Sequence, residues 1–155
     1  MAAARFTALV SWWRALTGRS AARAGITDVR SARGTAGERT AAQFLARHGF
    51  RVVQRNFTCP RGEIDIVAED RGTLVFVEVK ARDVHGNELP EAAVTRSKRR
   101  RLCLAAREFI RRYRLGGRTF RFDVVGVDLE GDEPVRVHHW PNVVEYRNAV
   151  RRRRS

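Results

Sequence analysis

Cysteine is scarce: the 155 residues hold only two, Cys59 and Cys103. Neither sits in a CxxC or Cys/His spacing, which argues against a zinc site. Nothing supports a disulfide, so reduced thiols and a cytoplasmic location are the expectation. Long apolar runs are missing too. A bilayer-spanning helix needs about 20 apolar residues, and the apolar stretch near the start is interrupted by Ser11 and Arg14. Stable membrane insertion is not expected, and no internal repeat is present. Acid is the third shortage, with 17 Asp and Glu against 31 Lys and Arg, net +14. That surplus favours a polyanionic partner, either nucleic acid or an anionic membrane surface. The length and the 43% hydrophobic content suit one domain with its own core.

Both ends are basic. Residues 1–27 contain no acid, and Phe6, Leu9, Val10, Trp12, Trp13 and Leu16 can form an apolar stripe. The segment reads as a poorly ordered extension or as a binding arm; a membrane-surface adaptor is a further reading. Residues 18–34, rich in Gly, Ser, Arg and Ala, read as a linker. The expected division is therefore an extension over 1–33, a globular domain over 34–146 and an Arg-rich tail over 147–155. The tail is either solvated or a phosphate-contacting arm.

Within the domain, Ala41, Phe44, Leu45 and His48 recur at helical spacing over Thr35–Arg47, with Gly49 as the stop. Phe50–Phe57 reads as a strand and Cys59–Gly62 as a turn. Glu63–Ala68 and Leu74–Ala81 are β-branched runs joined by Glu69–Thr73, which predicts a hairpin. Asp83–Pro90 reads as a loop. Leu102, Ala105, Ala106, Phe109, Ile110 and Tyr113 mark the buried stripe of a helix over Glu91–Leu115, ended by Gly116 and Gly117. Thr119–Leu129 is a further strand and Pro134–His139 another. The order predicts an α/β fold with a mixed sheet and flanking helices.

Side chains alternate faces along a strand. Ile64, Ile66 and Ala68 share one face of the first hairpin strand; Glu63, Asp65 and Val67 share the other. Val75, Val77 and Val79 oppose Phe76, Glu78, Lys80 and Arg82 in the second. One face of each strand suits the core and the other is expected to carry charge. A loop centred between Arg71 and Gly72 sets Asp65 opposite Glu78 and Glu63 opposite Lys80, with Cβ atoms about 5 Å apart. Two such carboxylates resist joint ionisation. A hard divalent cation, Mg²⁺ or Mn²⁺, removes the conflict. Plain cross-strand ion pairs on a solvated face are the competing reading.

Gly62-Glu63-Ile64-Asp65-Ile66-Val67 followed by Val75-Phe76-Val77-Glu78-Val79-Lys80-Ala81-Arg82 resembles the PD-(D/E)XK nuclease signature. More closely, the chain resembles the YraN family of bacterial proteins. Gly37-Glu38, Ala41-Ala42, Leu45, Gly49-Phe50, Arg55-Asn56, Glu91-Ala92, Lys98 and Arg121-Phe122-Asp123-Val124 match as well. The likeness runs from about Gly34 to Leu129. It implies a restriction-endonuclease-like sheet in αβββαβ order, an architecture shared with archaeal Holliday junction resolvases. It also implies roles. Asp65, Glu78 and the Val79 carbonyl hold Mg²⁺ or Mn²⁺; Lys80 orients or deprotonates the attacking water or stabilises the charged phosphorane-like state; and Glu38 completes the site by binding metal or water. Glu63 is a weaker candidate, and Ile64 stands where the signature has proline.

Arg96, Lys98, Arg99, Arg100 and Arg101 form either a solvated helix face or a phosphate-tracking surface, with Arg82 and Lys98 the preferred substrate contacts. His48, His85, His138 and His139 have no ligand spacing. Two functions are expected to compete. One is a metal-dependent endonuclease acting on nucleic acid, DNA before RNA. The other is a nucleic-acid-binding module whose nuclease site is silent or awaits a partner. A homodimer follows only by analogy with enzymes that cut two strands symmetrically.

Overall fold

The structure, a computed structural model, describes residues 29–84 and 96–143. The N-terminal stripe with Trp12 and Trp13, His85, the loop up to Pro90, Glu91–Ala92 and the arginine tail lie outside the described residues. Helix α1 spans Val29–Arg47 and is followed by β1 (Arg51–Cys59), β2 (Gly62–Asp70) and β3 (Thr73–Asp83). Helix α2 spans Arg96–Arg112, then come β4 (Phe120–Glu130) and β5 (Glu133–Trp140). This is the expected αβββαβ order with a fifth strand appended. Among the described residues, no helix is long and apolar enough to cross a membrane.

Strand order follows chain order, β1 to β5. All neighbours are antiparallel except β3 and β4, which run parallel. A parallel pair needs a crossover connection, and α2 lies in the segment that supplies it. The β2–β3 turn has two residues, Arg71 and Gly72, both at positive φ (46° and 85°). That geometry matches the twist of a hairpin, and it sets Ile66 against Val77 and Asp70 against Thr73.

Three sequence expectations are corrected. First, α1 begins at Val29, inside the stretch read as a linker. Second, α2 ends at Arg112, before the Gly116–Gly117 pair. Arg114 takes positive φ (54°), its N–H bonds the Arg111 carbonyl, and the Leu115 N–H bonds that of Ile110. Leu115 also packs on the core, the apolar contact that accompanies such a cap. Third, the hairpin does not have one apolar and one charged face. Ile66, Ala68, Val75 and Val77 pack with Ala41 and Leu45 of α1. Val67, Leu74 and Phe76 pack with Leu102, Ala105, Ala106 and Phe109 of α2. Phe76, Phe122 and Phe109 make an aromatic layer on that second face, with Phe76 5.6 Å from Phe122 and 5.7 Å from Phe109. An apolar surface of that kind needs its own cover, so the sheet is sandwiched and charge is left to the strand ends.

Ile64 joins the α2-side cluster, away from Ile66. Here β2 parts from β3: their ladder stops at Ile66–Val77, while β2 stays paired with β1 as far as Gly62. The sheet splits at this point, and the charged residues gather there.

Candidate functional site

The hairpin register, continued one pair beyond Ile66–Val77, sets Asp65 opposite Glu78. No backbone ladder forms at that position. Instead the Asp65 carboxylate accepts the Val79 N–H at 2.7 Å. The N–H and C=O of one strand residue point to the same side, so the Val79 carbonyl is directed toward Asp65 as well.

The end of β3 carries Glu78, Lys80 and Arg82. Glu78 is 5% exposed. One of its oxygens, Oε1, pairs with the Lys80 ammonium at 3.0 Å and also with Lys98 from α2. Lys98 was read as a substrate contact; the structure ties it to a site carboxylate. Burial alone would lower its pKa, but the Glu78 carboxylate outweighs burial and carries the ammonium above the usual lysine value. Arg82, the other expected substrate contact, lines the cleft beside Lys80. It faces Asp128 across the β3–β4 ladder, with Nε donating at 2.5 Å, and this bond holds the Asp128 carboxyl below its ordinary range. His138 approaches the other Asp128 oxygen at 3.4 Å.

Glu38 comes from α1, which lies unusually close to β3. A Cβ at Gly37 would stand 2.7 Å from that of Ala81, so only a residue without a side chain lets the helix sit there. Glu38 pairs loosely with Arg55 of β1, at 3.8 Å. The sequence reading missed Arg55, for which Arg55-Asn56 carried no chemical signal of its own.

The electrostatics centre on Asp65. Burial and then the Glu78 carboxylate push its pKa up to about 7, with Glu38 adding to the rise; the Val79 N–H and Lys98 work against it. Glu38, Asp65, Glu78, Lys80 and Lys98 therefore act on one another, while Arg82 serves the β3–β4 seam. Glu63 is exposed, at the mouth of a cleft that Glu78 also lines. Clefts flank the group on both sides, one of about 390 Å³ beside Lys80, Ala81 and Gly34 and one of about 630 Å³ beside Glu78 and Lys98.

Asp65, Glu78 and the Val79 carbonyl are hard oxygen donors, the kind that suit Mg²⁺ or Mn²⁺. Among the described residues, no three His, Cys, Asp or Glu side chains are grouped closely enough to hold a metal ion. A cation at Asp65 would offset the cost of a carboxylate that is buried and stands beside Glu78.

A second polar cluster, which the sequence reading left without a role, lies toward the other end of the sheet. Asp123 is fully buried in β4. It accepts from Arg121 Nε at 3.0 Å, from His139 Nε2 at 2.9 Å and from the Asn142 N–H at 2.9 Å. Arg121 also reaches Asp70 at 3.0 Å. A lone acid within an apolar strand run was the available signal.

Residues 37–127 match the family described as "Uncharacterised protein family UPF0102". A UPF0102 protein of Trichlorobacter lovleyi is 44% identical over 114 residues, covering 72% of this chain and 89% of that protein. One of Geobacter metallireducens is 41% identical over 112 residues, covering 72% and 91%. One of Moorella thermoacetica is 43% identical over 110 residues, covering 71% and 92%.

Proposed function

For this chain, which belongs to the UPF0102 family, we propose a metal-dependent endonuclease that hydrolyses phosphodiester bonds in nucleic acid, with DNA the expected substrate. The observation that carries the reading is the meeting of Asp65, Glu78 and Lys80 where β2 leaves β3, beside open clefts. The likeness of that segment to the PD-(D/E)XK signature supports it, as does the net charge of +14.

Asp65, Glu78 and the Val79 carbonyl would hold Mg²⁺ or Mn²⁺. Such an ion, when bound, supplies Lewis-acid stabilisation of the phosphate and lowers the pKa of a coordinated water. Lys80 supplies a compact cation for charge that builds on the phosphate oxygens, and a donor that orients the attacking water. Lys98 fixes the Glu78 carboxylate from the opposite helix, and Glu38 adds a third carboxylate able to orient water.

One observation favours a second reading, a binding module with a silent or partner-activated site. Lys80 and Lys98 already neutralise Glu78 through a single oxygen. An assay separates the two. Plasmid, forked and four-way DNA and RNA are incubated with the protein in Mg²⁺ or Mn²⁺, then with Asp65→Ala and Lys80→Ala. Each substitution is expected to cut the rate at least about 100-fold. Cleavage that survives both rejects the assigned residues. Salt-sensitive binding with no cleavage on any substrate supports the second reading.

A further inference from the structure

The cleft beside Glu78 and Lys98 lies between the β1–β2 turn and the first turns of α2. Thr58, Arg61, Glu63, Glu78, Lys98 and Arg101 are among its lining residues. Its walls touch at one place. A Cβ at Gly62 would stand 3.0 Å from the Arg101 carbonyl oxygen and 3.3 Å from the Arg101 Cβ. The same cleft is lined by the buried carboxylate of Glu78 and so opens onto the candidate catalytic group.

Size and charge limit what can enter. The cleft is open to solvent and has a volume of about 630 Å³. A B-form duplex, whose major groove alone is about 12 Å wide, is too large for it; one strand is not. The acids in the lining are Glu63 and Glu78, and Glu78 is held by two lysines. Arg61 and Arg101 are exposed in the lining, and Arg96, Arg99 and Arg100 are exposed beside it on α2. No acid stands in the first turn of α2. So many like charges on one rim of the cleft favour a polyanionic partner there.

We propose that this cleft receives a single-stranded segment of nucleic acid. Its phosphates lie against Arg61 and Arg101, and the strand leads to Glu78 and Lys98. Arg61 and Arg101 are then positioning residues. The substrate class becomes unpaired strands such as flaps, overhangs and loops, with intact duplex excluded from the cleft. The substrate class rests on the nuclease reading; the binding does not.

The test uses the full chain in EDTA, so no cleavage intervenes. The basic ends can bind any polyanion, and the readout must therefore report on the cleft itself. Cys59 lines it and is a free thiol, partly buried against the core. Alkylation of Cys59, followed by peptide mass spectrometry, is expected to slow at least fivefold with a saturating 12-nucleotide single strand and to be unchanged with a blunt duplex. Separate DNA and RNA strands show which sugar is preferred. Arg61→Glu and Arg101→Glu should each weaken single-strand binding about tenfold, and losing one phosphate contact should reduce the salt slope by about 0.7. Arg61→Gln and Arg101→Gln serve if the reversals do not fold. Equal protection by duplex and single strand overturns the proposal, as does single-strand affinity indifferent to both arginines. If the protein cuts nothing but the arginine effects and the protection hold, the nuclease reading alone fails. If Asp65-dependent cleavage prefers duplex and ignores the arginines, the cleft proposal alone fails.

Discussion

Replacing Asp123 with alanine is expected to cost about 3–5 kcal/mol of folding stability, the range for removing one partner of a buried, hydrogen-bonded charge network. The carboxylate is fully buried and joins three parts of the chain. Arg121 lies on its own strand, His139 on β5, and Asn142 just beyond β5. Without it, the His139 ring and the Asn142 N–H lose their acceptor, and Arg121 keeps only Asp70 as its carboxylate partner. The pH dependence identifies the cause. Burial would raise the Asp123 pKa, but bonds from His139, Arg121 and the Asn142 N–H outweigh it and hold the carboxyl below the ordinary aspartate range. A lowered pKa contributes stability that is present above the unfolded value of about 3.9 and is lost as pH falls through the folded value. Urea unfolding at pH 7 should therefore show the full loss, and the difference from wild type should shrink below about pH 4. A cost under 1 kcal/mol at pH 7 contradicts this picture of the network.

Asp65→Asn is expected to act in the opposite direction on stability while removing the proposed nuclease activity. The Asp65 pKa is pushed up to about 7, first by burial and then by Glu78. Because the folded value lies above the unfolded one, the folded state holds the proton more tightly. Stability of the metal-free protein then falls as pH rises from about 4 to 7 and stays low above that. A separation of about three pH units corresponds to roughly 4 kcal/mol, and screening in a half-buried site reduces it to about 2 kcal/mol. Asparagine keeps an oxygen for the Val79 N–H and carries no charge. In EDTA at pH 8 the variant should melt roughly 5 °C or more above wild type, and at pH 4 the two should coincide. A variant that melts lower than wild type at pH 8 would show that Asp65 is a stabilising structural carboxylate. The site would then be strained for function at the expense of the fold only in name.

How far the sequence speaks for this molecule varies with the physics of each feature. The hairpin register was readable because a two-residue turn and four apolar side chains, Ile66, Ala68, Val75 and Val77, point to the same pairing. The α2 stripe was readable for the same reason: Leu102, Ala105, Ala106 and Phe109 are all buried. The first turns of α1 were hidden because Ser31 and Gly34 are weak helix formers. The α2 cap was misplaced because a non-glycine residue, Arg114, takes the left-handed position ahead of two glycines. The second apolar face was obscured because Phe76 alternates with the valines and shares its side with Glu78 and Lys80. Lys98 and Arg82 were identified as cations near the site, but their partners Glu78 and Asp128 are set by tertiary placement. The Asp123 network was signalled by a lone acid in an apolar run, but its partners were not, since they come from positions up to nineteen residues away.

The central claim is that Asp65 and Glu78 share one hard cation beside Lys80. Mn²⁺ titration by calorimetry at pH 8, on wild type, Asp65→Asn and Glu78→Gln, tests it without reference to any nucleic acid. The account predicts binding by wild type, with a rise in melting temperature that grows with Mn²⁺ concentration, and at least tenfold weaker binding by each variant. Absence of binding by wild type, or equal binding by all three proteins, would contradict it.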